Sequence, residues 1–143
     1  MHYLGAAMTR ILAGLFVLAA LVLAPAAPAV AAGDLVVQIR ASQVALNPDG
    51  TVSVPLRVRC SPPTYPFEVG VGVVQGSTSG GAGGLGGPIS SCTGKWQQTT
   101  LTVTAQSGTF VSGSATVTAY VAAYDPVEDH DVFIEDSATV RLR

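Results

Sequence analysis

Residues 51–60 alternate without interruption. Val52, Val54, Leu56, Val58 and Cys60 fall on one side; Thr51, Ser53, Pro55, Arg57 and Arg59 fall on the other. A period of two is the signature of a β-strand with one buried face, because successive side chains point to opposite sides. The same period recurs in Phe67-Val69-Val71-Val73, in Leu101-Val103-Ala105, in Ala115-Val117-Ala119-Val121-Ala123 and in Ala138-Val140-Leu142. Leu35–Arg40 and Gln43–Leu46 are shorter strand candidates upstream. After residue 31 no apolar stripe of helical period has useful length. Six to eight strands separated by Gly, Pro and Asp predict an all-β chain, folded as an antiparallel sandwich. The small inward residues of 115–123 would let its two sheets approach closely.

Local signals refine this picture. Asn47-Pro48-Asp49-Gly50 is a turn, since Pro presets φ and Gly accepts positive φ. Pro55 lacks the N–H that a ladder needs, so its strand is expected at an edge or bulged there. Gly76–Ser91 carries seven glycines between Gly76 and Gly87 and reads as a loop. Asp125–Asp136 carries six of the nine acidic residues and reads as an acidic, solvated loop.

The N-terminus predicts the compartment. Arg10 precedes an uninterrupted apolar run, Ile11–Leu23, then Pro25, Pro28 and the small-x-small step Ala29-Val30-Ala31. That is the order of a secretory signal, with cleavage near Ala31 or Ala32. The run is shorter than the ~20 residues a membrane span requires. The expectation is therefore a signal helix at 1–31, one domain at 32–143, free secretion and no stable membrane anchor after cleavage. One domain is all that this length supports. Cys60 and Cys92 are the only cysteines. An exported chain with an even number usually bridges them, and closing that loop is worth roughly 3.5 kcal/mol in the chain-entropy model. The net charge is −2, with the basic residues scattered. That excludes a nucleic-acid binder, which needs clustered Lys and Arg to neutralise phosphates.

Sites of chemistry are few. Gly81-Ala82-Gly83-Gly84-Leu85-Gly86 matches G-x-G-x-x-G in letters. Gly87-Pro88 follows, so no helix N-terminus can meet a pyrophosphate, and a flexible loop is the better reading. Asp125, Glu128, Asp129, Asp131, Glu135 and Asp136 offer oxygens that suit Ca²⁺, but without the spacing of an EF-hand loop. His130 lies between Asp129 and Asp131, with no serine in a recognisable elbow. The acids crowd one segment rather than facing each other across a cleft. No cofactor, metal or catalytic group is implied. Trp96 stands four residues after Cys92 and is expected to fill the core beside the bridge. The alternative is a ligand-facing patch of Trp96, Tyr65, Tyr120 and Tyr124, and the outward parity of Tyr120 with Thr116 and Thr118 favours partial exposure.

Several segments together resemble a known family. They are Asn47-Pro48-Asp49-Gly50-Thr51-Val52, Arg59-Cys60, Cys92-Thr93-Gly94-Lys95-Trp96 and Gly108–Ala115. They look like a family of small secreted proteins of unknown function from high-GC Gram-positive bacteria, over roughly residues 42–143. The resemblance implies an immunoglobulin-like β-sandwich with one disulfide and assigns no active residue. A weaker similarity is to the enediyne-carrying apoproteins, secreted sandwiches of similar composition. Those have two disulfides, whereas this chain has a single pair of cysteines.

The expectation is a secreted, non-enzymatic binding or surface-interaction module for an unknown extracellular ligand or protein. A carrier of a small apolar ligand is the second reading and a small hydrolase the third. A cleft lined by Phe67, Trp96 or Phe110 would favour the carrier.

Overall fold

The computed structural model describes residues 34–143. The predicted signal segment 1–31 and its cleavage site lie outside the described residues. Valine-rich alternation produces the central strand, β3 (Val52–Arg59), whose residues alternate strictly between buried and half-buried. Seven more strands surround it: β1 (Val36–Ile39), β2 (Ala45–Leu46), β4 (Tyr65–Gln75), β5 (Thr78–Leu85), β6 (Trp96–Ala105), β7 (Gly113–Asp125) and β8 (His130–Leu142). The described residues contain no α-helix, only a 3-10 turn at Ala41–Gln43, and no helix long and apolar enough to cross a membrane.

Every strand pair is antiparallel. The first sheet places β3 between β6 on one side and β1 and β2 on the other. The second runs β5-β4-β7-β8. Two residue pairs, Gly80 with Ala105 and Gly81 with Thr104, join the sheets at one corner. The opposite seam is nearly closed. There Leu46 N–H donates to the Arg143 carbonyl at 3.2 Å, and Ile39 N–H donates to Asp136 Oδ2 at 2.8 Å. The fold is thus a sandwich-like antiparallel sheet that almost closes into a barrel.

The interior is filled by the inward parity of each strand. Val54, Leu56, Val58, Val69, Val73, Val103, Val117, Val121 and Leu142 are fully buried. Ala115, Ala119 and Ala123 alternate with them on β7 and are buried too. Phe110 and Ile89 enter from connecting segments and join the same core. Cys60 and Cys92 are bridged, with Cα atoms 4.9 Å apart, so the end of β3 is tied to the segment before β6.

Three local expectations are corrected. The glycine segment is not simply a loop: Thr78–Leu85 is a strand paired residue by residue with β4. Glycine leaves no side-chain alternation to read, but it lets backbones approach closely. A Cβ at Gly83 would collide with the Val69 carbonyl, and its φ of +107° is a left-handed value. The acidic segment is not a solvated loop either. It is the foot of a long hairpin, with β7 and β8 joined through residues 126–129 and His130 paired with Asp125. Val132 and Ile134 turn inward there, while Asp131, Phe133 and Glu135 are exposed. Finally, β3 is an interior strand, so Pro55 lies neither at an edge nor in a bulge. The Pro55 carbonyl accepts from Arg40 N–H at 3.0 Å. An N–H at position 55 would point the same way, toward the Arg40 carbonyl. That carbonyl instead takes Gln43 N–H at 2.8 Å, where β1 breaks into the 3-10 turn. The bulge lies at Pro66–Glu68 of β4, where Phe67 is the extra residue.

Candidate recognition face

The outer surface of the second sheet collects Tyr65, Tyr120, Tyr124 and Phe133, none of which the core uses. Register decides which of them meet. Tyr65 on β4 is the direct partner of Tyr124 on β7, and their ring centroids are 5.5 Å apart. Tyr120 is the partner of Gly70 on one side and of Glu135 on the other. A side chain at position 70 would occupy the space of the Tyr120 ring, so glycine there lets the ring lie down across β4. Tyr120 stacks with Phe133 of β8 at 5.8 Å and 25°. Its hydroxyl donates to Glu68 Oε1 at 3.0 Å, and the Tyr124 hydroxyl donates to Asp129 Oδ1. Tyr65 is 48% exposed, Phe133 61% and Leu85 80%, values that put large apolar surface in water.

Four carboxylates belong to this face: Glu68, Asp129, Asp131 and Glu135. Asp131 is the cross-strand partner of Tyr124. Burial raises the pKa of the Tyr120 phenol, and Glu68 raises it further by accepting its proton's hydrogen bond. For Tyr124 the hydrogen bond to Asp129 is the main cause of a raised pKa. Both rings therefore stay neutral at physiological pH, with electron-rich faces beside negative charge. Gly72 and Gly81 pave the next row, level with Thr118 and Ser137, and keep it flat.

Trp96 does not join the tyrosines, and it does not fill the core. It heads β6, opposite Arg59 of β3, on the outer surface of the first sheet. Parity explains the correction: inward positions of β6 pair with Val52, Val54, Leu56 and Val58, and Trp96 has the other phase. Two guanidiniums lie over its ring, Arg57 at 4.3 Å and Arg59 at 5.1 Å from the centroid. Arg57 Nε donates to Gln38 Oε1, and Arg40 donates to Gln98 Oε1, both at 2.7 Å. These partners are neutral, so the positive charge of this surface is not cancelled by them.

His130 is exposed at the foot of β8. Asp125 is buried and caps the hairpin tip, Oδ1 accepting from Val127 N–H at 2.9 Å. Its other oxygen and the Thr64 hydroxyl are buried without partners. Among the described residues no three His, Cys, Asp or Glu side chains gather in a metal-holding group. A shallow hollow of about 540 Å³ lies between the Asn47–Gly50 turn and residues 109–112, above buried Phe110.

Phe133, Glu68 and Gly70 belong to the aromatic face and are not singled out by the sequence reading. Phe133 carried a signal, since it sits between inward Val132 and Ile134. Glu68 and Gly70 carried none, because their role depends on a cross-strand neighbour far along the chain. Comparison with protein-family models, with curated proteins and with solved structures found no match to this chain.

Proposed function

We propose that this chain is an exported, non-enzymatic surface-interaction module of immunoglobulin-like kind, and that the outer face of its second sheet is where it meets a partner. The observation that carries this reading is the group formed by exposed Tyr65 and Phe133 with half-buried Tyr120 and Tyr124, with Gly70 beneath the Tyr120 ring and carboxylates at the rim. Contiguous exposed apolar surface with a polar rim is typical of interaction sites. Tyrosines give large contact area at low entropic cost. Aromatic faces beside carboxylates attract cationic groups, so the partner class is one that presents Lys, Arg or alkylammonium groups.

The two layers support the immunoglobulin-like reading, β1-β3-β6 against β5-β4-β7-β8. The Cys60–Cys92 bridge suits an oxidising compartment, in keeping with the secretory pattern of the N-terminus. The carrier reading draws less support: Phe110 is buried among valines, and Trp96 lies outside the core on the opposite face.

The test is amide chemical-shift mapping with an oligolysine peptide and with a trimethylammonium probe. Shifts should concentrate at Tyr65, Gly70, Tyr120 and Phe133. Tyr65→Ala with Phe133→Ala should weaken binding about tenfold, the scale of one or two interface anchors, while melting stays near that of the parent. Shifts confined to other surfaces would refute the assignment.

A further inference from the structure

The two outer faces of this sandwich are chemical complements of one another. On the first sheet, Arg57 and Arg59 lie over Trp96, with Arg40 beside them at Gln98 and Lys95 next in the chain. The outward positions of β1, β3 and β6 hold Val36, Gln, Ser, Thr and Pro besides these, and no acid. On the second sheet, Glu68, Asp131 and Glu135 stand among the aromatic rings of half-buried Tyr120 and Tyr124 and exposed Phe133. The only base at an outward position there is Arg141, at the far end of β8 from Asp131. The faces lie on opposite sides of one core, so they cannot meet within a molecule.

We infer that the partner of the aromatic face is a second copy of this chain, which docks its Arg57–Trp96–Arg59 surface onto the Tyr120–Phe133–Glu68–Glu135 surface of the first. This rests on the reading of the aromatic face as the recognition surface, and it names the occupant. Guanidiniums suit that occupant twice. They pair with carboxylates as planar forks and stack on aromatic rings. The contact uses different patches on the two copies, so it is heterologous, and each added copy presents a fresh face of either kind. Association should therefore extend in a chain rather than stop at a two-fold dimer. It should also be steered and held by charge, and so weaken with salt.

Sedimentation velocity on the native, disulfide-bridged protein tests this. At low ionic strength the weight-average mass should rise with protein concentration past that of a dimer. Near 1 M salt, where the screening length falls to about 3 Å, it should return to that of the monomer. Arg57→Gln with Arg59→Gln removes one face, and Glu68→Gln with Glu135→Gln removes the other. Each double variant alone should stay monomeric. An equimolar mixture should form a 1:1 pair and grow no further, because one variant keeps only the acidic face and the other only the basic face. Arg141→Gln, outside both surfaces, should associate like the parent. Melting curves verify that each variant is folded, and the salt arm needs no variant at all. A monomer at every concentration in low salt overturns the inference, as does association indifferent to salt or a mixture that stays monomeric. If the protein stays monomeric yet oligolysine still shifts the Tyr120 and Phe133 amides, only the identity of the partner falls. If neither occurs, the recognition face falls with it.

Discussion

β3 and β5 are both eight-residue strands of the same molecule, and they are held in opposite ways. In β3 every second side chain is fully buried, from Val52 to Val58, and the strand is fixed by what its side chains displace from water. In β5 (TSGGAGGL) four of the eight residues are glycine. Its place is fixed by backbone ladders to β4 and by carbonyls that approach where other residues would carry a Cβ. Burial makes β3 tolerant in outline and costly to hollow out. Close backbone approach makes β5 intolerant at particular points and indifferent at others.

That contrast can be broken at its strongest points first. Leu56→Ala should cost about 3 kcal/mol in chemical denaturation, since a fully buried leucine leaves both lost transfer energy and a cavity. A loss below about 1 kcal/mol would mean that β3 is not held by burial.

The sharper test lies in β5. Gly83→Ala must relieve a collision with the Val69 carbonyl at a φ of +107°, and a loss of about 2 kcal/mol is expected from strain of that kind. Gly81→Ala meets only the Val71 carbonyl, at 3.4 Å, with no positive φ. It should lie within about 0.5 kcal/mol of the parent, or gain slightly as the unfolded chain loses freedom. Equal effects at the two positions would show that the glycines act by composition and not by place.

The smallest effect is electrostatic and concerns the neighbour of β5. Tyr120 lies over Gly70, and its phenol pKa is raised by burial and by the bond to Glu68. A raised pKa in the folded state gives stability that is complete below the unfolded value, near 10. It is lost as pH rises through the folded value. The melting temperature should therefore fall more steeply above about pH 10 in the parent than in Tyr120→Phe, which keeps the ring but cannot ionise. Identical alkaline profiles would remove the Glu68 bond as a source of stability.

These comparisons also explain which parts of the fold were legible in the chain. β3 and β7 announce themselves, because Val and Ala recur with the period of the pleat. The Cys60–Cys92 bridge follows from there being two cysteines. β5 was hidden, because glycine writes no alternation. Most of β8 was hidden too: charges in Asp131–Asp136 resemble a loop until their outward phase is seen against Val132 and Ile134. Of the four aromatic residues that the sequence offers as a patch, Tyr65, Tyr120 and Tyr124 come together, and Trp96 goes to the other sheet. Tyr120 could be placed by its own parity within β7. Trp96 needed the phase of β6 against β3, which a four-residue distance from Cys92 does not supply.

By itself the sequence determined that the chain is an antiparallel all-β protein with one bridge, since hydrophobic period and cysteine number are local and countable. Tertiary structure decided everything that depends on which strands are neighbours. It brought Tyr65 to Tyr124, laid Tyr120 over Gly70, nearly closed the seam through Asp136, and separated a basic face from an acidic one. Neighbours far apart in the chain are chosen by the packing of the whole core, and no single segment contains that information.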